Sequence, residues 1–538
     1  MPLVTSTPAK ALRLIAVVPS LLALLLGCSA NSTSTKAIPP IKAVDNLAQK
    51  KTIVSSPNSP SPSLVPRQSP SPVPIPTEKA DVVLIGSELE GMYLARAAAD
   101  EGLVVKTIDP RDQPGGQLLQ AEMQFLDAVV DNGGKGKLIA QGRVKELITG
   151  FRKGTIRKPS EFTAYYNKLV QGIPIESGIQ IQDVERVPGL RGESKIDSVT
   201  YKSKNGSLHR IEADYWVENT DYAALVGKLG VERQPGLEAF FGAKQVEYMS
   251  AGLMMKFKNV DWDAFQKHGY TTVDANYGVG VVDVTKRYVS SNDRVFLRGL
   301  NAVNQRDGEV LVNALLVYQI DPSDERSIEE GMALGRQETE LVLQHFRQSM
   351  AGWEHAELNG FPHSLYIREY NHYNADYNLQ VSDMLSGHMF FDNVSIAGYP
   401  LDLQGLRHAK WGTEMGRPDK YGMPLRSFLL KRYENVILAG KNVGTTAIAY
   451  GSARIQQNTS IAAESIGAII GHLRGAKKLK ELQAGDWPEL HRFLNANYHI
   501  KLSGIVAKNK LAGWTTEEID RLNEGKINYT IFERTGKK

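Results

Sequence analysis

Ala80-Asp-Val-Val-Leu-Ile-Gly-Ser-Glu-Leu-Glu-Gly91 is the stretch that best predicts the fold of this 538-residue chain. Its apolar first half, up to Gly86, predicts a buried parallel strand. The Ala-rich segment 90–101 that follows predicts a helix, which Gly102 ends. Leu103–Asp109 predicts a second strand, so a strand, a helix and a strand lie within about thirty residues, as in a βαβ unit. The fold class that this unit predicts is α/β.

The turn between Gly86 and Gly91 is typical of a dinucleotide-binding site. Gly86 permits a tight turn, and the start of the following helix offers free N–H groups to a pyrophosphate. Asp109 lies 18 residues after Gly91, where an acid can accept hydrogen bonds from ribose hydroxyls. Glu88 stands where the strict fingerprint has its second glycine, and its carboxylate would repel phosphate unless it points away. The turn by itself leaves two interpretations open, a dinucleotide site and a purely structural turn.

Further elements are predicted far along the chain. The apolar patterns predict strands at 179–187, 196–203, 208–217 and 435–440, and a helix near 458–473. The region between the third and fourth of these strands is mixed and richer in aromatic residues, which favours an inserted α+β substrate domain. We therefore divide the chain into a signal peptide (1–27), a Ser/Pro-rich linker (28–78), a first part of a Rossmann-like domain (79–240), the inserted domain (241–430), a closing part of the first domain (431–478) and a C-terminal helical extension (479–538).

Composition excludes several classes of function. The net charge is +4 and the positive charges are scattered, so no basic block indicates nucleic-acid binding. The single cysteine, Cys28, excludes disulfides within the chain and a cysteine-ligated iron–sulfur cluster. No two histidines have His-x-x-x-His spacing, and we expect no metal site.

The N-terminus has the layout of a secretion signal. Lys10 and Arg13 precede the apolar run Leu14–Leu26, which is too short to span a bilayer comfortably. Gly27-Cys28 after this run resembles a bacterial lipobox, in which the cysteine is acylated and becomes the mature N-terminus. The alternative is an ordinary signal peptide with an incidental cysteine.

Residues 29–78 predict a tether between this anchor and the folded part. They are rich in Ser, Thr, Pro and Asn, with Ser-Pro repeats between Pro57 and Pro76. Such a segment buries no core and favours extended conformations. We therefore expect a protein held by lipid on the extracytoplasmic face of a membrane.

Four segments in order give the folded part a resemblance to a known family. They are Ala80–Gly91 with Asp109 and Gly115-Gly116-Gln117, then Asn219-Thr220-Asp221, then Tyr366–His372, and finally Gly440-Lys-Asn-Val-Gly444 with Gly451-Ser-Ala-Arg454. Over roughly residues 80–505 the chain resembles bacterial FAD-dependent oxidoreductases of the two-dinucleotide-binding-domain flavoprotein type. The segment at Asn219 lacks the glycine usual in that family.

The resemblance implies non-covalently bound FAD and a role for each matching residue. Gly86, Ser87, Glu88 and Gly91 would lie at the pyrophosphate, Asp109 would hold the adenosine ribose, and Val184 would present its backbone to the adenine. Gly115, Gly116 and Gln117 would lie near the flavin end, and Gly440, Lys441 and Asn442 would contact the ribityl-phosphate side. Asn219, Thr220 and Arg454 would also bind the cofactor. The helix start at Gln457 and Asn458 would face the flavin N1/C2=O edge, where its dipole stabilises the negative charge of reduced flavin.

Arg368 and His372 are the candidates for catalysis of hydride or electron transfer on a small-molecule substrate. They lie four residues apart in the third segment. For both, a structural ion pair is an equally valid interpretation. The sequence identifies neither the substrate nor the electron acceptor.

Two other hypotheses remain open at this point. A degenerate flavoprotein fold that serves as a surface binding protein is favoured by Glu88 and by the missing glycine near Asn219. A cytoplasmic NAD-dependent dehydrogenase is opposed by the signal-like N-terminus and by the flavin-like segment near Gly440.

Overall fold

The computed structural model describes residues 75–270 and 272–538. The predicted signal peptide, Cys28 and nearly all of the linker lie outside these residues. The strands are β1 Thr77–Ile85, β2 Val105–Asp109, β3 Ile175–Ser177, β4 Gln180–Pro188, β5 Ser194–Lys202, β6 Leu208–Glu218, β7 Ala251–Lys258, β8 Tyr277–Gly280, β9 Val295–Leu297, β10 Leu300–Asn304, β11 Val310–Val317, β12 Glu357–Leu358, β13 Asn393–Ala397, β14 Asp402–Leu403, β15 Thr413–Glu414, β16 Tyr421–Pro424 and β17 Val436–Leu438.

The α-helices follow the same chain order. They are α1 Leu89–Asp100, α2 Gly116–Leu119, α3 Asp131–Gly134, α4 Val144–Lys153, α5 Pro159–Leu169, α6 Leu237–Phe241, α7 Trp262–Lys267, α8 Val282–Thr285, α9 Glu325–Ser349, α10 Val381–Ser386, α11 Ala447–Ala453, α12 Gln456–Leu473, α13 Trp487–Tyr498, α14 Thr516–Asn523 and α15 Tyr529–Thr535. Short 3-10 turns at Val226–Lys228 and Gly440–Asn442 lie beside the site described below.

The first sheet has seven strands and confirms the Rossmann-like α/β prediction. β1 lies between β2 and β6 and is parallel to both, and β3 extends the parallel order beyond β2. β17, from far along the chain, pairs in parallel with the end of β6. The domain is therefore built from discontinuous segments, as predicted. β5 and β4 continue the sheet as antiparallel strands on the other part of β6.

Small residues bring α1 and α12 together over the first sheet. A Cβ added at Gly467 of α12 would lie 2.3 Å from the backbone oxygen of Leu94 in α1, so the helix backbones touch at this point. Ala97 and Ala98 of α1 are fully buried in the same core. This packing holds the start of α12 near the start of α1, where two of the predicted cofactor segments lie.

The second sheet forms a separate hydrophobic core. Its main order is β12-β7-β11-β10-β8, with β9 paired to β11. The long helix α9 packs against β11 and β7, and Phe257, Phe346 and Trp353 fill the space between. Buried residues from Leu379 to Leu429 join the first core instead. The domain limits given above stay predictions.

Three helices, α13 to α15, follow α12 at the C-terminal end. Trp487 and Leu490 of α13 are buried in the first core. Within residues 75–270 and 272–538, no helix combines the length and the apolar character needed to cross a membrane.

Candidate functional site

Hydrogen bonds join the first turn, the predicted ribose acid and the Gly-Gly pair. Asp109 accepts from the Ser87 N–H at 3.0 Å and from the Ser87 hydroxyl, and its other oxygen accepts from the Arg111 N–H at 2.8 Å. The Ser87 oxygen in turn accepts from the Gly115 N–H at 2.9 Å. Burial raises the pKa of Asp109 to about 6, although the hydrogen bonds from Ser87 and Arg111 oppose the rise. Three segments that the sequence singled out thus meet at the carboxyl ends of β1 and β2.

The side chain of Asn219 is hydrogen-bonded to the backbone of the first turn, Gly86–Gly91. Its side-chain oxygen accepts from the Gly91 N–H at 2.9 Å, and its amide donates to the carbonyls of Gly86 at 3.1 Å and Glu88 at 2.9 Å. A Cβ at Gly91 would lie 2.2 Å from the amide carbon of Asn219, so only glycine leaves room for this contact. Thr220 next to it donates its hydroxyl to Glu218 at 2.7 Å. Asn219 therefore shapes the turn that was predicted to hold a cofactor.

Glu88 points across the crevice. Its carboxylate accepts from the Gln117 N–H at 3.0 and 3.2 Å, and a Cβ at Gly116 would lie 2.3 Å from its carboxyl carbon. Burial raises the pKa of Glu88 to about 8, while Lys441, whose Nζ lies 3.9 Å away, opposes the rise. At pH 7 the side chain is therefore mostly protonated, and the repulsion of phosphate expected from the sequence is weakened.

A second acid, Glu90, lies in the same crevice and was not singled out from the sequence. It is fully buried, and burial raises its pKa. Gln117 donates its side-chain amide to Glu90 at 3.2 Å, and a Cβ at Gly440 would lie 3.3 Å from the Cβ of Glu90. Lys441, next to Gly440, donates to the carbonyl of Ile367 at 2.9 Å. The side chains of Glu88 and Glu90 together fill the crevice between the first turn and the Gly440 turn.

A cavity of about 490 Å³ opens beyond Asp109, at the carboxyl ends of β2, β3 and β6. Ligands of open α/β sheets bind in this position. Val184 does not line the cavity; it pairs with Val199 in the β4–β5 ladder. The lining residues are Pro110, Ile179, Gln180, Ile181, Tyr222, Ala223, Ala224, Gly227, Lys228, Ser323, Glu325, Tyr370, Asn371 and Tyr373.

The start of α12 meets the other end of the crevice. The side-chain oxygen of Gln457 accepts from the Val129 N–H at 3.0 Å, and Asn458 donates to the carbonyls of Gly398 and Ser452 at 3.0 and 3.1 Å. A void of about 30 Å³ lies here, enough for about two water molecules. Its lining includes Gln117, Tyr366, Arg454, Gln456 and Gln457.

Asn442 connects the second predicted segment to the closing one. Its side-chain amide donates to the carbonyl of Thr220 at 2.9 Å and to the carbonyl of Ala439 at 3.1 Å. This contact joins the end of β6 to the turn after β17, so the two segments occupy neighbouring positions along the crevice.

Arg368 and His372 are both buried and both make internal contacts. Arg368 donates to the carbonyl of Ser250 at 2.8 Å and to the side-chain oxygen of Asn313 at 3.1 Å. Burial lowers the pKa of its guanidinium to about 10. His372 lies 3.0 Å from a carboxylate oxygen of Glu369, and its ring packs on Tyr450. These contacts agree with the structural interpretation, and the catalytic role of both residues stays a prediction.

The chain is similar to a known protein family in sequence and to solved structures in fold. Residues 81–489 match the model of a family described as FAD dependent oxidoreductase. No curated protein sequence is similar enough to match the chain. Among solved structures, the chain is similar to a geranylgeranyl bacteriochlorophyll reductase-like protein from Thermoplasma acidophilum, with 11% identity, a TM-score of 0.36 and coverage of 84% of this chain and 90% of that one. It is also similar to p-nitrophenol 4-monooxygenase PnpA from Pseudomonas putida DLL-E4, with 12% identity, a TM-score of 0.36 and coverage of 86% and 95%.

Proposed function

We propose, from the premise that this chain belongs to the FAD dependent oxidoreductase family, that it oxidises or reduces a small molecule outside the cytoplasm. FAD is its cofactor, and the chain is an FAD-dependent oxidoreductase. The observation that carries the site assignment is the convergence of Ser87, Asp109 and Gly115 in one hydrogen-bonded turn. When bound, FAD supplies the hydride and electron transfer.

The groups along the crevice fit FAD, because their order matches the order of adenine, ribose, diphosphate and flavin in the cofactor. The 490 Å³ cavity would take the adenine, Asp109 the ribose, and the start of α1 the diphosphate. The start of α12 would face the flavin. Glu88 and Glu90 have to turn aside for the diphosphate, and Gln117 for the ring, since the void at that end holds only about 30 Å³.

The extracytoplasmic location is proposed from the N-terminal sequence. Lys10, Arg13, Leu14–Leu26 and Cys28 have the order of a lipoprotein signal, and the following Ser/Pro-rich segment would separate the enzyme from the membrane. Free NAD(P)H is scarce outside the cytoplasm. We therefore propose that electrons pass from the substrate to a separate acceptor, which the sequence does not identify.

Purified protein tests the cofactor site directly. We expect it to be yellow and to release FAD on denaturation. Gly86→Ala should abolish flavin binding, because Gly86 has φ of 93° and the new Cβ would lie 2.5 Å from the backbone oxygen of Asn219. Gly172→Ala is the matched control, since Gly172 also has a positive φ, 78°, but open space around its Cβ position.

Two results would count against the proposal. A colourless protein that takes up no added FAD would refute FAD-dependent activity. Full flavin content in a folded Gly86→Ala variant would refute the placement of the diphosphate at the first turn.

A further inference from the structure

Three arginines gather around Tyr366 beside the proposed flavin end. We call Arg298, Arg368 and Arg454 the arginine cluster. The guanidinium carbon of Arg368 lies 4.7 Å from the ring centre of Tyr366, and Arg454 donates to the Tyr366 hydroxyl at 3.3 Å. Burial, together with the charges of Arg298 and Arg454, lowers the pKa of Arg368 to about 10. The three cations are thus close enough to repel one another.

The arginine cluster has donors without acceptors. The Nε atoms of Arg298 and Arg454 are buried and have no hydrogen-bond partner within residues 75–270 and 272–538. Arg454 is only 7% exposed and Arg368 only 2%, whereas the Arg298 residue as a whole is half-buried. In the same part of the chain none of the three forms an ion pair. A buried charge is costly unless it is paired, so this arrangement calls for an anion.

The carboxylates near the cluster do not balance its charge. Asp402 raises the pKa of Arg298 and of Arg454, and Asp127 raises that of Arg298. Asp402 already accepts from the Gln404 side chain, and Asp127 from the Tyr399 hydroxyl at 2.9 Å. Burial raises the pKa of Asp127, which favours its neutral form. Asp402 and Asp127 are thus two carboxylates beside three guanidinium groups, and together they leave one positive charge unmatched.

The cluster lies between the cofactor segments and the second sheet. Arg454 lies two residues before the start of α12 and lines the void at the proposed flavin end. Arg298 lies between β9 and β10, and Arg368 follows Tyr366, which pairs with Gly252 of β7. Arg298 and Arg368 belong to the region predicted to bind the substrate. We therefore expect the substrate to supply the anion that pairs with the arginine cluster.

A cleft of about 290 Å³ opens beside Tyr399, and its lining includes Ala128, Val129, Gly133, Pro400 and Arg417. The Asp127–Tyr399 hydrogen bond stands between this cleft and the void beside Arg454, since Tyr399 lines the first and Asp127 the second. Tyr399 has φ of 138°, a strained value for a residue other than glycine, and such strain is concentrated at functional sites.

We propose that the arginine cluster binds the carboxylate of the substrate, which enters through this cleft, so that the substrates are small organic carboxylates with an apolar body. The apolar part would contact Ala128, Val129 and Pro400, while the carboxylate would accept from the free guanidinium donors. An adjoining cavity of about 220 Å³ is lined by Lys135, Arg417, Lys508 and Lys510 together with Asp419 and Glu533. Arg417 and Lys510 form ion pairs with Glu414 and Glu533, so Lys135 and Lys508 would supply the charge that attracts anions to the entrance. This inference rests on the proposed function for the position of the flavin.

Benzoate and benzamide test the inference, because they share a shape and differ in charge. Isothermal titration calorimetry on the full-length holoenzyme should show benzoate binding at least about tenfold more tightly than benzamide. Arg298→Gln should remove most of this preference, and Arg298→Lys should retain part of it. Arg492→Gln, at an exposed position of α13, is the control and should leave it unchanged.

Three outcomes would overturn the inference. Benzoate and benzamide could bind equally, or benzoate could fail to bind at millimolar concentration. Arg298→Gln could instead lower FAD retention or the flavin reduction potential without changing the benzoate preference, which would assign the cluster to the flavin. Thermal unfolding and flavin content establish that each variant is folded and loaded. If the wild-type protein contained no FAD, the proposed function would be contradicted. The calorimetric comparison of benzoate with benzamide would still test whether the arginine cluster binds a carboxylate.

Discussion

Glu88 occupies the position where a dinucleotide fold normally keeps a bare backbone. The structure shows how a carboxyl group is accommodated there, since it accepts from the Gln117 N–H and is buried beside Glu90 and Lys441. Burial keeps the proton on Glu88 up to a pH of about 8, whereas an unfolded glutamate loses it near 4.5. The folded ligand-free chain therefore holds this proton more tightly than the unfolded chain. Its free energy of unfolding should fall as the pH rises from 4.5 to about 8.

The same proton should control FAD affinity. As the pH rises through about 8, Glu88 becomes charged beside the diphosphate, so we expect the FAD dissociation constant to increase. Glu88→Gln should bind FAD with an affinity that changes much less between pH 7 and pH 9, as measured by fluorescence titration of apoprotein.

Glu354→Gln is the control for this titration, because Glu354 is exposed and far from the crevice in sequence. Its FAD dissociation constant should increase with pH as that of the wild type does. An affinity that stays constant across the same pH range in the wild type would show that Glu88 does not titrate beside the diphosphate.

Asn219 illustrates how far single residues could be predicted. The family resemblance drew attention to it but implied a contact with the cofactor. The structure shows a side chain that joins Gly86, Glu88 and Gly91, residues more than a hundred positions earlier in the chain. A contact of that kind follows from the pairing of β1 with β6, which periodicity within a segment does not reveal. Glu90 was missed for a related reason, because its burial depends on the Gly440 turn.

Among the elements, those with local signals could be predicted best. The β1–α1–β2 unit matches the sequence within three residues at each predicted end, because an apolar run, a glycine turn and an Ala-rich helix are all local patterns. The second sheet was seen only as a mixed region. Its strands β7 and β11 are mostly apolar but are interrupted by Lys256 and Asn313, and they pair across about fifty residues. Along the chain, α9 follows β11 and precedes β12. Such pairing is set by tertiary packing.

The contact between α1 and α12 carries a prediction at the scale of elements. Gly467→Ala should lower stability by about 1–3 kcal/mol, because the added methyl group would lie 2.3 Å from the backbone of Leu94 and would force the helices apart. Chemical denaturation of the apoprotein measures this change. Gly485→Ala is the matched control, since nothing lies within 4 Å of its Cβ position.

The displacement of α12 should also reach the cofactor. Because α12 begins at Gln456, beside the void that would receive the flavin ring, Gly467→Ala should weaken FAD binding even though Gly467 lies three turns away. A Gly467→Ala variant that is as stable as the wild type would contradict the tight contact between the two helices. A destabilised variant that binds FAD as well as the wild type would show that the start of α12 does not move.

At the scale of the whole molecule, the function depends on stretches that are distant in sequence. Ser87, Asp109 and Gly115 come from the first part of the chain, Thr220 from the end of β6, and Asn442 from the turn after β17. The order of these segments was predictable from the family resemblance. The filling of the crevice by Glu88 and Glu90 was not, since side-chain positions depend on all of these segments at once.

The N-terminus carries the last prediction, on how the whole molecule is held in the cell. If Cys28 is acylated, the mature chain should have an intact mass higher than that of residues 28–538 by its acyl groups, and it should partition into detergent. Replacing residues 1–28 with a cleavable signal that lacks a lipobox should release the enzyme with unchanged flavin content, because the proposed FAD site lies entirely within the described residues, 75–270 and 272–538. Ser29→Ala is the control and should stay bound. A released enzyme without flavin would mean that the N-terminal segment contributes to the fold, and a chain that remains membrane-bound without its cysteine would contradict the lipid anchor.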